Sequence, residues 1–390
     1  MVRVTVVCLT LFLDGCLSPA ALDSLSLAYN EATQNDISKQ LLLNIARAKN
    51  DDPIHFSGIS NIAATLNFQA NLGVSPALTG SSGSTLVPTF GVAAAENPTI
   101  SIVPMQGEEF TKRMLAPISE DKLALLLRQN VDIDLLLRLV VLEYRAMDGK
   151  PEEVYHNRPR DRTDYALFRR IVLHLSSIQD QDELYFEPLT VVKHWQLPIS
   201  QMNPKEFQEL EKEFNITLDS RKGVYHLDKR KEGRMVITNY DLKLLSEQER
   251  SRLLEESENS AVNDVIVDIR KGYRGGEFPL HGRFRLRSFS NILYFIGRTL
   301  GTEPEYDIQK DPRTPFVSEN PTFTLAIMES DALPAESDFN VKYQGKYYSI
   351  KEDRDYNWNK KAFRVLWQIF QMTMSELPRG NAIPSITISK

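Results

Sequence analysis

The chain has 390 residues, of which 42% are hydrophobic and 25% are charged, and its formal net charge at pH 7 is -6. These proportions are typical of globular proteins and exclude a largely disordered chain. The acidic balance argues against nucleic acid as a main partner.

The first residues have the pattern of a secretory signal peptide. Arg3 precedes an apolar run at residues 4–13, which is too short to cross a bilayer core of ~30 Å. Cysteine occurs only at Cys8 and Cys16. Loss of Cys8 with the signal would leave the mature chain with neither a disulfide nor a cysteine metal site.

The signal is followed by a possible acylation site. Residues 13–16, Leu-Asp-Gly-Cys, resemble the lipobox of bacterial lipoproteins, although Asp14 departs from the small or hydroxylated residue that the motif prefers. By this resemblance, residues 1–15 are a lipoprotein signal peptide, Cys16 becomes the acylated N-terminus, and Leu17 favours sorting to the outer membrane. The alternative is an ordinary signal peptide followed by a chance cysteine.

The next two segments differ in composition. Residues 16–53 are predicted to form the N-terminal anchor and a helix, because apolar residues recur at helical spacing between residues 20 and 50. Residues 54–105 contain no Lys or Arg, and Glu96 is their one acidic residue. In a chain that is one quarter charged, such a segment indicates a special environment.

Within this segment, apolar and polar residues alternate in two stretches, as expected of two β-strands joined by a Gly/Ser-rich tip at residues 75–85. The apolar positions, assigned to lipid, are Ile62, Ala64, Leu66, Phe68, Ala70, Leu72, Val74, Leu86, Phe90, Val92 and Ala94. The polar positions, assigned to a water-filled lumen, are Thr65, Asn67, Gln69, Asn71, Thr89 and Gly91.

The alternation predicts a long amphipathic β-hairpin at residues 62–102 that crosses the outer membrane. A membrane strand needs ~9–11 residues, and the polar positions hold neutral side chains where a soluble strand usually places charge. Two strands alone would leave unpaired edges in hydrocarbon, so several copies would have to pool their hairpins in one barrel. The alternatives are a hairpin packed on a soluble lobe or a partner's sheet, or a flexible loop of low charge.

The rest of the chain predicts an α+β body of periplasmic lobes, with a helical region at residues 106–180 and an α+β domain at residues 181–390. Helices are expected from Ser119 to Leu127, from Asp132 past Leu142, and at residues 165–177, 204–214, 241–256, 289–300 and 360–377, with a charged linker at residues 150–164. Strands are expected at residues 184–192, 216–227, 235–238, 265–269, 283–287, 323–328 and 339–350, the last being a hairpin that turns at Gln344-Gly345.

Four pieces of sequence carry a resemblance to a known family. They are residues 40–49, residues 104–117, Arg287-Ser288 and residues 345–355. These pieces resemble a family of proteobacterial outer-membrane lipoproteins of unassigned function, which implies a location and a shared fold and assigns no catalytic residue. The plan of a lipid-anchored subunit that donates a hairpin is similar to that of the curli-secretion channel.

No catalytic residue, metal site or cofactor is predicted. The Gly-rich stretch at residues 272–276 lacks the Lys-Ser/Thr of a phosphate loop and predicts a turn. No two histidines have the spacing of a helical or hairpin metal pair. The histidines are His55, His156, His174, His194, His226 and His281.

Two charged clusters leave alternatives open. Arg283, Arg285 and Arg287 alternate on one strand face, which could meet an acidic neighbouring subunit or solvent. Glu352, Asp353 and Asp355 could bind a cation or cap the helix that follows.

The sequence therefore predicts an oligomeric outer-membrane lipoprotein, not an enzyme, that forms a pore or export conduit with its main body in the periplasm. Its expected partners are outer-membrane lipid and further copies of the chain. The alternative is a lipoprotein without a pore that acts as scaffold or pilot subunit of a cell-envelope complex. A periplasmic hydrolase is a third hypothesis, which no motif supports.

Overall fold

A computed structural model describes residues 17–76, 86–147, 152–334, 340–352 and 357–374. Contacts between residues divide the described chain into two units. The hairpin unit comprises the described residues within Met1–Ile37 and His55–Phe110, and the α/β unit comprises those within Ser38–Ile54 and Thr111–Met374. Helix α1 (Leu17–Lys49) begins in the first unit and ends in the second.

The hairpin unit is built on two long strands. Strand β1 (Phe56–Pro76) has 21 residues and strand β2 (Leu86–Met105) has 20, and they pair with each other as an antiparallel two-stranded sheet. At ~3.3 Å per residue, each strand is about 70 Å long, several times the length of an ordinary strand.

The α/β unit alternates helices with strands, as predicted for this part of the chain. Its helices are α2 (Glu108–Leu115), which begins at the unit boundary, α3 (Glu120–Leu127), α4 (Ile133–Val140), α5 (Arg162–Gln179), α6 (Pro204–Leu210), α7 (Glu247–Glu258), α8 (Phe289–Thr299) and α9 (Trp358–Met374). Its strands are β3 (Val141–Ala146), β4 (Glu153–His156), β5 (Tyr185–Pro198), β6 (Asn215–Asp219), β7 (Val224–Thr238), β8 (Asp264–Ile269), β9 (Leu280–Leu286), β10 (Ile327–Ser330), β11 (Asn340–Tyr343) and β12 (Lys346–Ile350).

The main sheet has seven strands in the order β4-β3-β9-β8-β7-β5, with β6 also paired to β7. Strands β7 and β8 are parallel and the other pairs are antiparallel. Strand β7 pairs with β5 along most of its length, whereas β8 reaches only Val236–Thr238 and β6 only Val224–Asp228. The first half of β7 therefore extends past β8 and pairs only with β5 and β6. Together with β6, α6 and the second half of β5 it forms a segment that we call the arm (residues 190–232).

Helices cover the main sheet and create its core. Every residue of β8 and every residue of α4 is buried, as expected for elements that are surrounded on all sides. Phe168 of α5 meets Phe284 of β9 with their ring centroids 6.3 Å apart. A separate core cluster, which includes Leu189, Val236 and Leu253, joins α7 to β5 and β7.

The end of α1 packs on a second, smaller sheet of three strands in the order β10-β12-β11. Leu42 and Ala46 are fully buried against Tyr348. The hydroxyl of Tyr343 donates a hydrogen bond to Asp52, which follows the helix, over 2.6 Å. Burial of a leucine stabilises a fold by about 1.5–3 kcal/mol, so these contacts fix the last turns of α1.

A buried ionic network holds the irregular segment between α8 and β10. Arg138 lies 3.1 Å from Glu305 and 3.6 Å from Asp134, and the three side chains are at most 2% exposed. Glu305 also accepts hydrogen bonds from the hydroxyls of Tyr165 and Thr324. Burial alone would lower the pKa of Arg138, but the carboxylates of Glu305 and Asp134 raise it above its usual range. Arg169 also pairs with Asp134, so two arginines balance two carboxylates, which indicates a structural role.

Most predicted elements are present, but several boundaries are wrong. The predicted linker at residues 150–164 contains β4, an edge strand whose charged residues hid its pairing with β3. The helix expected to run past Leu142 ends at Val140, where the chain turns directly into β3. A continuous apolar run does not distinguish a buried helix from a buried strand.

Other corrections concern the second half of the chain. The strand predicted at residues 216–227 is two strands, and the second of them continues into the strand predicted at residues 235–238. The helix predicted at residues 241–256 is a short turn, Leu242–Leu244, followed by α7. The strand predicted at residues 323–328 is β10, which begins only at Ile327. Strands β3 and β4, which precede the boundary predicted at residue 180, share one sheet with β8 and β9.

Candidate functional site

The predicted hairpin is present as one long antiparallel ladder. Pairing runs from Phe56 opposite Met105 to Pro76 opposite Leu86, with a single irregularity between Ile59 and Asn61. Antiparallel residues that are directly opposite share a face of the sheet. The register therefore decides whether the two sequence alternations coincide.

The alternations do coincide. Leu72 is opposite Phe90, Ala70 is opposite Val92 and Phe68 is opposite Ala94. Among the positions assigned to lipid, Leu66 is the exception, because it is opposite Glu96. The positions assigned to a lumen are likewise matched, with Asn71 opposite Gly91. A register shifted by one residue would have mixed the two sets on each face.

Glu96 is the charged residue of the hairpin, and its register position divides the hairpin into two parts. It is opposite Leu66. The part beyond this pair contains Leu66–Pro76, which is 11 residues. At ~3.3 Å per residue and a tilt of ~45°, such a strand rises about 25 Å, the height of the apolar band of outer-membrane barrels.

The part below Glu96 continues the same ladder to Phe56 opposite Met105. Ile100 and Ile102 of β2 are 39% and 63% exposed. Ile62 and Ala64 are opposite Ile100 and Pro98, so these two positions, assigned to lipid from the sequence, fall below the length that a membrane needs. The other lipid-assigned positions of β1 fall within the 11-residue stretch beyond Glu96.

The two strands pair only with each other. In the described part of the chain no third strand pairs with β1 or β2, and none of the sheets closes into a barrel. Each outer edge thus keeps the alternate N–H and C=O groups that a neighbouring strand would use. The tip at residues 77–85 and the predicted acylation site Cys16 lie outside the described residues.

The arginine cluster predicted on one strand face is divided by the structure. Arg283 and Arg285 belong to β9, whose burial alternates strictly, and they lie on its more exposed face. Arg285 lies 3.0 Å from Asp264 and 3.4 Å from Glu143, and Arg283 lies 2.6 Å from Glu152. Acidic residues of the same chain therefore hold these two side chains, in place of the acidic neighbouring subunit or solvent suggested by the sequence. Arg287 lies beyond the end of β9 and is buried.

The histidines are dispersed, as their spacing predicts. Within the residues that the structure describes, no group of three or more His, Cys, Asp or Glu side chains could hold a metal ion. His174 is buried, with Nε2 2.8 Å from the carbonyl oxygen of Gly275 and Nδ1 3.2 Å from the hydroxyl of Thr314. His194 is exposed and lies 2.7 Å from Asp228.

The Gly-rich stretch at residues 272–276 forms turns, as predicted. Gly272 and Gly275 have φ angles of +90° and +76°, which glycine adopts without strain. The Asn239 amide fixes this loop through hydrogen bonds of 3.0 Å to the carbonyl oxygens of Arg270 and Arg274. Of the predicted acidic cluster, Asp353 and Asp355 lie outside the described residues, and Glu352 is exposed.

Among the described residues, no helix is both long enough and apolar enough to cross a membrane. Neither a protein-family model, nor a curated protein, nor a solved structure matches this chain.

Proposed function

We propose that the chain is a subunit of an oligomeric outer-membrane lipoprotein that forms a pore or export conduit. In this proposal each copy contributes the upper part of the β1–β2 hairpin to a shared barrel, and the α/β unit stays in the periplasm. Acylation at Cys16 would anchor each copy beneath the membrane and orient the tip at residues 77–85 outwards. The sequence resemblance to outer-membrane lipoproteins agrees with this location.

The observation that carries the proposal is the register of the hairpin. It matches apolar positions with apolar positions over a length suited to an outer-membrane strand, and it leaves the single carboxylate, Glu96, at the lower end of that length. A soluble hairpin usually carries charged residues on its polar face, so solubility does not explain two faces that differ in polarity yet lack charge. A barrel explains them, because lipid contacts one face and water the other.

The open edges support oligomerisation. Every backbone polar group within hydrocarbon must be paired, and the described chain supplies no partner strand for either outer edge. Further copies of the same hairpin would satisfy both edges and close the ring. The neutral polar positions, such as Asn67 and Asn71, would then line a lumen of weak ion selectivity.

A test uses two matched double variants of β1. Ala70→Lys with Leu72→Lys places charge on the predicted lipid face, at a cost of about 2–4 kcal/mol for each lysine near the bilayer centre. Gln69→Lys with Asn71→Lys places the same charge on the predicted lumen face. We expect the first variant to lose ring-shaped particles in electron micrographs of detergent-purified protein, and the second to keep them and to conduct anions preferentially in planar bilayers.

Two results would contradict the proposal. One is equal assembly of both variants, since a lipid face cannot accept two lysines without loss. The other is a wild-type protein that is a monodisperse monomer in detergent.

The second candidate function is a scaffold or pilot subunit without a pore, in which the hairpin adds its free edge to a partner's sheet. The unpaired edges of β1 and β2 favour it as much as they favour a barrel. Conductance separates the two, because assembled particles that pass no current in planar bilayers would support the scaffold.

A further inference from the structure

The α/β unit contains a cavity of about 410 Å³ beside helix α8. Three arginines line it, Arg158, Arg287 and Arg298, together with the carboxylates of Asp51 and Glu303. The volume lies within the ~300–1,000 Å³ that is usual for small-molecule sites. The charged wall is unusual, because burial of ionic groups is costly unless they are paired.

Arg287 is fixed in the cavity wall by its backbone. It lies between the end of β9 and Ser288, the N-cap of α8. Its N–H donates to the carbonyl oxygen of Val140 over 2.8 Å, and its own carbonyl oxygen accepts from the N–H of Ile118 over 3.1 Å. The side chain is 3% exposed, and its guanidinium carbon is 4.3 Å from the centre of the Phe295 ring.

The charge of Arg287 is not neutralised by the protein. Nη2 donates to the carbonyl oxygens of Val141 and Asn157, whereas Nε has no hydrogen-bond partner in the described chain. None of the described carboxylates lies within ion-pair distance of this guanidinium. Burial lowers the pKa of Arg287 to about 9, which still leaves the side chain charged at pH 7. The contrast is Arg138, an equally buried arginine that lies within ion-pair distance of two carboxylates.

The same wall contains an unpaired acceptor. Asn157 is 3% exposed, and its Nδ2 donates to the carbonyl oxygens of Arg138 and Val141 over 2.9 and 2.8 Å. These bonds fix the orientation of the amide, which leaves Oδ1 without a donor. Arg287 and Asn157 thus line one cavity, where an anionic ligand would balance the buried charge of Arg287.

The other two arginines are exposed. Arg158 is 3.6 Å from Asp161, a pair that solvent screens because the side chains are 48% and 36% exposed. Arg298, on the last turn of α8, has no ion pair in the described chain. Both are free to close on an anion that enters the cavity.

We propose that this cavity binds the phosphoryl group of a small polar organic phosphate, held between buried Arg287 and the exposed Arg158 and Arg298. Three guanidinium groups exceed the two carboxylates, so the wall favours an anion. A phosphomonoester has three strong acceptor oxygens, one for each guanidinium, whereas a carboxylate has only two. The carboxylates of Asp51 and Glu303 would accept from hydroxyl or amino groups of the organic part. A free phosphate ester and a lipid headgroup share this chemistry.

The test measures binding by titration calorimetry with the full-length protein in a maltoside detergent, which carries no phosphate. The probes are glycerol 3-phosphate, inorganic phosphate, and phosphatidic acid in mixed micelles. We expect glycerol 3-phosphate to bind more tightly than inorganic phosphate if the ligand is a soluble ester, because only the ester has hydroxyls for the acceptors. Binding of phosphatidic acid alone would identify a lipid headgroup as the source.

Variants decide whether the binding is at this cavity. Arg298→Ala removes an exposed side chain and should weaken binding by about tenfold or more. Arg287→Met should abolish binding without loss of the fold, since it removes a buried charge that has no counter-ion. Arg221→Ala, at an exposed turn between β6 and β7, is the matched control and should bind as the wild type does.

The proposal is overturned if no probe binds, or if Arg298→Ala and Arg287→Met bind every probe as the wild type does. A folding failure of Arg287→Met leaves Arg298→Ala to decide. The cavity lies wholly within the α/β unit, so the outcome is independent of whether the hairpin forms a pore.

Discussion

His174 is a titratable side chain whose ring the fold buries between α5 and the loop around Gly275. Burial lowers its pKa from the usual 6.5, more than its hydrogen bond to Gly275 raises it. In the neutral ring, Nε2–H donates to the Gly275 carbonyl and Nδ1 accepts from the Thr314 hydroxyl, so protonation would place a charge in this buried site and reverse the second bond. Protonation of His174 therefore links the stability of the fold to pH.

We expect the free energy of unfolding to fall as the pH drops below 6.5. The unfolded chain then takes up a proton that folded His174 resists, which costs at most ~1.4 kcal/mol for each pH unit until the folded ring also titrates. His174→Gln should remove this part of the pH dependence in urea unfolding at pH 7.5 and 5.5. Exposed His194→Gln is the control, because its hydrogen bond to Asp228 raises the pKa and its contribution is lost as pH rises. An equal acid loss in His174→Gln would contradict the assignment.

The arginines show what a sequence reveals about single residues. The alternation of Arg283 and Arg285 predicted one strand face correctly, because strand periodicity is a local property. The same alternation placed Arg287 with them, although the strand ends at Leu286. Its burial depends on α8 and on the chain after β4, and neither contact has a local pattern. No pattern in the sequence therefore predicts the cavity.

At the scale of elements, the contact between the end of α1 and α8 depends on Gly297. A Cβ atom at this position would lie 2.6 Å from the backbone nitrogen of Lys49 and 2.9 Å from the carbonyl carbon of Ala48. Backbone atoms cannot move aside as a flexible side chain can. The glycine therefore allows the two helices to approach each other at the wall of the main core.

Gly297→Ala should destabilise the protein by about 1–3 kcal/mol, because overpacking outweighs the ~1 kcal/mol that alanine normally contributes within a helix. Chemical denaturation measures this difference. Gly301→Ala provides the comparison, since its nearest neighbour would be the flexible Lys49 side chain at 3.4 Å, and it should be nearly neutral. A stabilised Gly297→Ala variant would show that the helices are not in this contact.

Elements with a strong local signal were predicted well, and the others were not. The hairpin at Gln344-Gly345 was confirmed, because both residues have the positive φ angles that this turn requires and glycine supplies one of them cheaply. The hairpin of β1 and β2 was also confirmed as an element, since its alternation is unbroken. Strand β7 was predicted in fragments, because its middle, residues 229–232, is charged and lies in the arm, where there is little core to impose a pattern.

At the scale of the whole molecule, the proposed pore makes a prediction about proteolysis. The chain contains no Lys or Arg from residue 50 to residue 111, so trypsin cannot cut the hairpin. If the hairpin spans the membrane, digestion of outer membranes in urea should remove the α/β unit and leave a fragment of residues 50–112 in the carbonate-washed pellet. Mass spectrometry identifies the fragment. Its recovery in the wash would instead indicate a peripheral hairpin.

The architecture of the α/β unit gives the arm a mechanical property. Strand β7 runs from the tip of the arm into the middle of the main sheet, where Val236–Thr238 lies parallel to β8. A load applied at the arm would travel along this covalent backbone and reach the β7–β8 pair as shear, which strains several hydrogen bonds together. A pulling force on the arm would therefore act directly on the hydrogen bonds at the centre of the fold.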